Sequence, residues 1–532
     1  MLSLEIAKKE KWLIIFILAI TFIYSAYIWL APHNRFNTPD EVVNSFFSER
    51  LANGENLRAP APLNKIAGET IVRPRWVHIL DNDIVLAGFI GFPLILAIFG
   101  WVFSVSVLPF ITPIFAIFGL GALYLLGRDL INRRAAWLII ILTSVTPAYW
   151  YYHSRSFFHN ALFFDLVLVG MWLWYQALKK QKIIWYLLTG LILGLAISVR
   201  SSEVFWLATA FGVWSAYCYK QIIWRYIAWL VLGLILGIAP VLVVNYLTYG
   251  QLFIVGYSGG ITLPAAGGES ITKFISQVIL PFGFHPRVMW QIFLHYIVQF
   301  SWWWFILVLV GTGYVIKKWQ TLSQEVKGLF LMSLVVSAWL LVVYGSWWFS
   351  DNPDPTAVTL GSSYVRYFLP LYILGLWPAS FYLADLWLKK YGRIIVSSII
   401  IIFITLSANL VLWGKDEGLV FLQQRLWQFE NVSRVVQGIT PSDSVIVAPG
   451  RTDKFFWPER QVIVSFASIR EYQAVGRLVK AGIPVYLFNL TFSEVQLVEW
   501  QNKLKIADLE LKLEKDNLLE HSLYKFLQVN TP

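Results

Sequence analysis

The stretch KKEKWLIIFILAITFIYSAYIWLAPHNRFNTPDE, residues 8–41, governs how the rest of the chain is read. Its apolar run from Trp12 to Leu30 is long enough to cross about 30 Å of hydrocarbon, and Lys8, Lys9 and Lys11 stand before it. No small-residue cleavage signal follows this run and many similar runs do, so it reads as an uncleaved first helix with a cytoplasmic N-terminus. Composition agrees: of 532 residues, 58% are hydrophobic and only 14% charged, against roughly 25% charged in a soluble domain. That excess cannot be hidden inside one water-facing globule, and an integral membrane protein is expected. The net charge of +11 falls mostly in short Lys and Arg clusters between apolar runs. There it sets topology, and nucleic acid is not an expected partner. The lone Cys218 excludes an intrachain disulfide and any CxxC site.

Further spans are expected at 107–127, 135–152, 158–177, 183–199, 202–219, 225–247, 291–316, 328–349, 366–388 and 393–413, about eleven in all. Basic clusters at Arg128, Arg133 and Arg134; Lys179, Lys180 and Lys182; Lys220 and Arg225; Lys317, Lys318 and Lys327; and Lys389, Lys390 and Arg393 then all fall inside. Counting 84–104 as a crossing would break this parity, so its Gly88, Gly91 and Pro93 are read as marking a re-entrant or interfacial segment. Three polar stretches lie outside: loops 31–83 and 248–290, and the tail. The expected organisation is a transmembrane domain over 1–413 and an extracytoplasmic domain over 414–532. In the tail, strand-like SVIVA (444–448), QVIVSF (461–466) and PVYLFNL (484–490) alternate with helical REYQAVGRLVKAG (470–482), which predicts a small α/β domain. The protein is thus expected in the plasma membrane, multi-pass, with its chemistry and its C-terminal domain facing out.

Within the first outer loop, Thr38, Pro39, Asp40 and Glu41 form a helix start, with Thr38 as N-cap and Glu41 closing a capping box. Both acids suit the positive end of the helix dipole, which is the structural reading. The following Val43, Phe46, Phe47 and Leu51 recur at helical spacing, and a surface helix with its polar side up is expected. The catalytic reading makes Asp40 a base near headgroup level. PAYWYYHSRSFFHNALFFD, 147–165, turns the chain between two spans and carries His153, Arg155, His159 and Asp165. Asp165, about two turns into its helix, should face the bundle and find a partner. Arg200 and Arg366 recur at other outer boundaries. Headgroup anchoring explains each arginine singly, and a local pair with Glu203 explains Arg200. A phosphate-bearing ligand explains Arg155, Arg200 and Arg366 together. His159, Asp165, Tyr257, His285 and Arg287 are further candidates for lining a substrate, and no metal cluster is read from the spacing of His and acidic residues.

In this order the motifs resemble the GT-C superfamily of membrane glycosyltransferases, in the branch of protein O-mannosyltransferases and aminoarabinose transferases. The matching features are Asp40 and Glu41 after the first span, the turn Pro147 to Arg155, the Gly-rich helix from Gly190 to Arg200, and Arg366, Tyr367 and Pro370. The resemblance covers roughly residues 10–415. It implies a polyprenyl-phosphate-linked sugar donor, a hydroxyl acceptor on a lipid, glycan or protein, Asp40 as catalytic base supported by Glu41, and no required cofactor. The chain departs from the pattern after Arg155, where it has His159 and Asn160 in place of an acid, which bears on any divalent metal there. WWDYG is absent, although SWWFSD (346–351) occupies a comparable stretch.

The chemistry such a donor needs follows from charge. As the sugar departs, phosphate charge grows from about −1 to −2, so aimed arginines stabilise the transition state more than the ground state. A carboxylate on the opposite face would take the acceptor proton and give inversion. The alternative is a secondary transporter or flippase for a lipid-linked or small polar substrate, which predicts ionisable groups near the bilayer midplane. Here the charges collect at outer helix ends.

Overall fold

The computed structural model describes residues 11–254, 280–349, 351, 354, 357–415 and 417–529. Its chain divides into two compact units: the described parts of Met1–Leu30, Pro109–Val243 and Thr262–Leu422 form one, and those of Ala31–Leu108, Val244–Ile261 and Gln423–Pro532 the other.

The first unit is helical. Lys11–Leu30 buries Leu13, Ile17, Ile20, Tyr24 and Ile28, a seam at steps of three and four residues. Trp12, Ile14, Leu18 and Phe22 point outward. So many exposed apolar side chains on a water-facing surface would aggregate; in lipid they are solvated. His159–Lys180 is the central helix, with 89% of its apolar window buried. Ile183–Val199 packs beside it and meets Ile227–Tyr249 through glycine: a Cβ on Gly190 or Gly194 would strike Leu230 O at 2.0 Å or Leu234 O at 2.5 Å. Small residues there let two backbones touch.

Among the described residues, seven helices are long and apolar enough to cross a membrane, or nine when each of two bent pairs counts as one span. The sequence count of about eleven differs where spans break. Ile183–Val199 and Ser201–Tyr217 form a pair bent by 118°, and Pro286–Gln299 with Trp302–Thr321 one bent by 95°. The expected span 135–152 divides into Arg133–Val145 and Pro147–Ser154 at Thr146, because Pro147 cannot continue the hydrogen-bond ladder of the preceding helix.

The second unit holds two sheets. Strands β1 (Arg58–Pro60), β2 (Val77–Leu80) and β3 (Asp83–Leu86) form an antiparallel sheet in the order β1-β3-β2. Helix Pro39–Ala52 packs Val43 and Phe47 on Leu57, Ala59, Val77 and Leu86 from this sheet region. The segment 84–104 therefore opens as strand and continues as the twelve-residue helix Gly91–Val102. The tail forms a five-stranded sheet from β4 (Val445–Val447), β5 (Gln461–Ile463), β6 (Val485–Leu490), β7 (Leu509–Leu518) and β8 (His521–Gln528), in the order β5-β4-β6-β8-β7. β4 runs parallel to β5 and β6; β8 is antiparallel to both β6 and β7.

Loop 31–83 is part of this unit. Ala67 and Val72 enter the core built by Val445, Ile463, Leu478 and Leu487, and Val72 bridges to Ile463. Arg75 Nε donates to Asp453 Oδ1 at 2.8 Å, and Arg35, 2% exposed, pairs with Glu430 and Glu459 at 2.9 and 3.0 Å. A boundary at 413 thus separates pieces that fold together, since loop 31–83 supplies apolar side chains that complete the tail's core.

Candidate functional site

Three arginines of the helical unit are gathered by shared aromatic rings. The turn between Pro147–Ser154 and His159–Lys180 carries Phe157 at φ +64°, a left-handed conformation uncommon for a bulky residue. This kink brings Arg155 over Phe158, its guanidinium carbon 4.6 Å from the ring centroid, while Arg366 lies 5.8 Å over the same ring. Tyr367 is shared likewise by Arg200 and Arg366, each 5.2 Å away. Guanidinium over an aromatic face is attracted by the ring quadrupole, so two rings suffice to bring three like charges together.

Each guanidinium is also oriented by hydrogen bonds. Arg155 Nη1 donates to Tyr151 Oη at 2.9 Å. Arg366 Nη2 donates to Ser363 Oγ at 2.9 Å, and Ser363 in turn donates its amide and hydroxyl to Asp351 at 2.7 and 3.0 Å. Arg200 Nε donates to Glu203 Oε1 at 3.0 Å, Nη2 donates to Tyr344 Oη at 3.1 Å, and Nη1 lies 3.0 Å from His159 Nε2. Trp206 and Tyr344 both donate to Glu203. Arg155 and Arg200 are buried at 1% and 3% exposure, and Arg366 is half-buried. Chemically this is a cationic cradle whose side chains are already fixed, the property required to bind a compact anion without reordering cost.

The sequence candidates separate. Arg155, Arg200, Arg366 and His159 come together. Asp165 does find a partner: His153 Nε2 lies 2.9 Å from Oδ2, Tyr149 Oη donates to Oδ1 at 2.8 Å, and His153 Nδ1 lies 2.8 Å from Tyr149 O. All three residues are fully enclosed, and a Cβ on Gly119 would fall 2.2 Å from Asp165 Oδ1. This network ties helices to each other. His285 and Arg287 are exposed, and from their segment it is Phe282 that meets Tyr344, with ring centroids 6.2 Å apart and planes inclined at 46°. Tyr257 lies outside the described residues. Sequence reasoning missed Tyr151, Phe158, Tyr344 and Ser363, and named Tyr367 only as part of the Arg366 motif. Their only sequence signal is an aromatic or hydroxyl residue within four positions of an outer arginine, and Tyr344 lacks even that.

Asp40 and Glu41 belong to the other unit. Thr38 caps Pro39–Ala52 through its side chain, which accepts from Glu41 N at 3.3 Å, and Glu41 Oε2 accepts from Thr38 N at 3.0 Å. The reciprocal cap thus uses Glu41. Asp40, one residue earlier, is 8% exposed. The helix does not present a solvated polar side as expected, because Asn44, Ser45 and Ser48 are buried along with Asp40 and Glu41. Nearby Lys454 donates to Asn37 O and Oδ1 at 2.8 and 3.0 Å. Burial, and then the charge of Arg75, bring its ammonium down to about 7. Among the described residues no group of three or more His, Cys, Asp and Glu is placed to hold a metal ion.

A sequence profile of the dolichyl-phosphate-mannose-protein mannosyltransferase family matches residues 89–244, which contain Arg155 and Arg200. No curated protein matches the chain. Among solved structures, ArnT from Cupriavidus metallidurans bound to undecaprenyl phosphate aligns with a TM-score of 0.57 at 9% identity, over 97% of this chain and 98% of that one. Its apo form aligns at 0.55 and 10%, over 97% and 98%. The Archaeoglobus fulgidus oligosaccharyltransferase tethered to an acceptor peptide aligns at 0.48 and 10%, over 96% and 74%, a likeness too slight to argue from. At these identities the likeness to ArnT speaks for the fold. The chain is a polytopic membrane protein with the fold of ArnT, and part of it matches the profile of the dolichyl-phosphate-mannose-protein mannosyltransferases, in line with the resemblance read from its motifs.

Proposed function

We propose that this protein transfers a sugar from a polyprenyl-phosphate carrier to a hydroxyl group on a lipid, glycan or protein, at the outer face of the membrane. The observation that carries this reading is the convergence of Arg155, Arg200 and Arg366 on the shared rings of Phe158 and Tyr367. Headgroup anchoring needs neither shared rings nor burial. A phosphodiester needs both a cluster of donors and their fixed geometry. Two further observations support the choice of ligand: ArnT, which shares the fold, holds undecaprenyl phosphate, and the helical unit contains an apolar cavity of about 430 Å³ lined by Phe293, Trp304, Phe305 and Leu334. Such a cavity suits an isoprenoid chain.

In this reaction the arginines take up charge as the sugar–oxygen bond to phosphate breaks. Glu203 orients Arg200, the Tyr151 hydroxyl orients Arg155 and the Ser363 hydroxyl orients Arg366, so all three guanidiniums are held in place to meet the developing dianion. Asp40 serves as base for the acceptor hydroxyl in an inverting displacement, an assignment that rests on the family resemblance, and Glu41 holds the helix start that carries it. The test is incubation of the purified protein with a panel of polyprenyl-phosphate sugars and a glycolipid acceptor. One donor should be consumed with release of free polyprenyl phosphate. Transport of a lipid-linked substrate without cleavage of any donor would overturn the reading.

A further inference from the structure

A cavity of about 180 Å³ lies wholly within the second unit, against the helix Pro39–Ala52 that carries Asp40. It is smaller than the roughly 300–1,000 Å³ of pockets that take drug-sized molecules, so its occupant is about one small ring. The helix presents Val42, Ser45, Phe46 and Glu49 to it, positions at steps of three and four on one face. Trp457 meets Phe46 with ring centroids 4.2 Å apart and planes inclined at 52°, which makes an angled aromatic wall.

The polar groups around that wall are held in place. Glu49 Oε1 accepts from Ser45 Oγ at 3.0 Å. Glu459 accepts from Asn34 Nδ2 at 3.3 Å and from Arg35 Nη1 at 3.0 Å. Lys454 is oriented by Asn37 and by the ring of Phe429, 4.8 Å from its ammonium. A pyranose has one face of C–H bonds and an edge of hydroxyls. Its C–H face meets the negative face of an aromatic ring, and its hydroxyls need acceptors and donors in fixed positions. Two carboxylates at the cavity disfavour an anion, and the single lysine leaves no net positive field for one.

We infer that this cavity is a monosaccharide-binding pocket, holding one pyranose ring of a glycan between the wall of Phe46 and Trp457 and the polar groups of Glu49, Glu459, Asn34 and Lys454. That binding stands on the cavity alone; its use to anchor the acceptor beside the helix of Asp40 rests on the transfer reading. The test uses full-length protein in nanodiscs, without any donor, and methyl mannoside and methyl glucoside carrying a photoreactive diazirine. Labelled peptides should fall within 34–49 and 454–459. Labelling should drop by at least about fivefold with excess unlabelled sugar, with Ser45→Phe, which fills the cavity, and with Glu49→Gln, which removes one charged hydrogen-bond acceptor at the surface. No labelling, or labelling unaffected by competitor and by both variants, would overturn the pocket. Neither result touches the donor-cleavage assay, so the two readings fail separately.

Discussion

The arginine cluster and the acidic helix start are organised by opposite means. Arg155, Arg200 and Arg366 come from separate helices and are assembled by rings they share, so their geometry is a tertiary property. Asp40 and Glu41 are adjacent in sequence and are fixed by a capping box within four residues. The first arrangement depends on the whole bundle; the second would form in an isolated helix start. It follows that damage to the cationic cluster should be read through folding as well as binding, whereas Asp40, which the reciprocal cap does not use, can be altered with the cap intact.

The sharpest way to break the comparison is Asp40→Asn. It should lower sugar transfer by roughly 100-fold or more, the scale of a lost general base, while thermal unfolding and polyprenyl-phosphate binding stay near wild type. Full activity would remove Asp40 from the mechanism. Arg200→Ala comes next. Because it leaves Glu203 buried at 4% exposure without its ion pair, it should cost about 3–5 kcal/mol of stability. The double change Arg200→Met with Glu203→Gln should recover most of that loss in a detergent melting experiment, and failure to recover would show that the pair does not act as a unit.

Val72→Ala probes the second unit with a smaller effect. Val72 is 1% exposed in the core shared by the first outer loop and the tail, so truncation should cost about 1–2 kcal/mol. Limited proteolysis should then cut faster within 62–76 while leaving the helical unit intact; unchanged cleavage would mean that the loop is held by its ion pairs alone. The smallest effect concerns Lys454. Its folded pKa, about 7, lies below the roughly 10.4 of an unfolded chain. Between those values the unfolded state binds one more proton, so stability rises with pH across that window and the penalty is fully present below it. Melting temperature should increase from pH 6.5 to 9 in the wild type and increase less in Lys454→Met.

Much of the fold was legible because membrane burial leaves a blunt signal. The spans at 11–30, 159–180, 227–249 and 392–413 read directly as apolar runs, as did strands β4, β5 and β6. The hairpin of β7 and β8 did not, because β7 (LELKLEKDNL) buries little beyond Leu509, Leu511 and Leu518 and otherwise shows charge to water. The small sheet of β1, β2 and β3 was missed because its strands have three or four residues, too few for a period to register.

In the candidate site, the arginines stood out because positive charge at an outer boundary runs against the inward bias. Their aromatic partners did not. Phe158 looks like an interface residue in a chain that is 17% aromatic, Tyr367 is marked only by its place in the Arg366 motif, and only the left-handed turn at Phe157 places Phe158 under two arginines. No residue type encodes that turn, since the usual glycine is absent.

The central claim, that the arginine cluster is the site of the carrier phosphate, is tested most directly by equilibrium binding of polyprenyl phosphate to the wild type and to Arg155→Ala and Arg366→Ala. Loss of a charge-assisted hydrogen bond predicts that each variant binds about 10- to 100-fold more weakly, measured at a temperature at which both variants remain folded. Undiminished binding in both variants would contradict the account and return these arginines to the role of headgroup anchors.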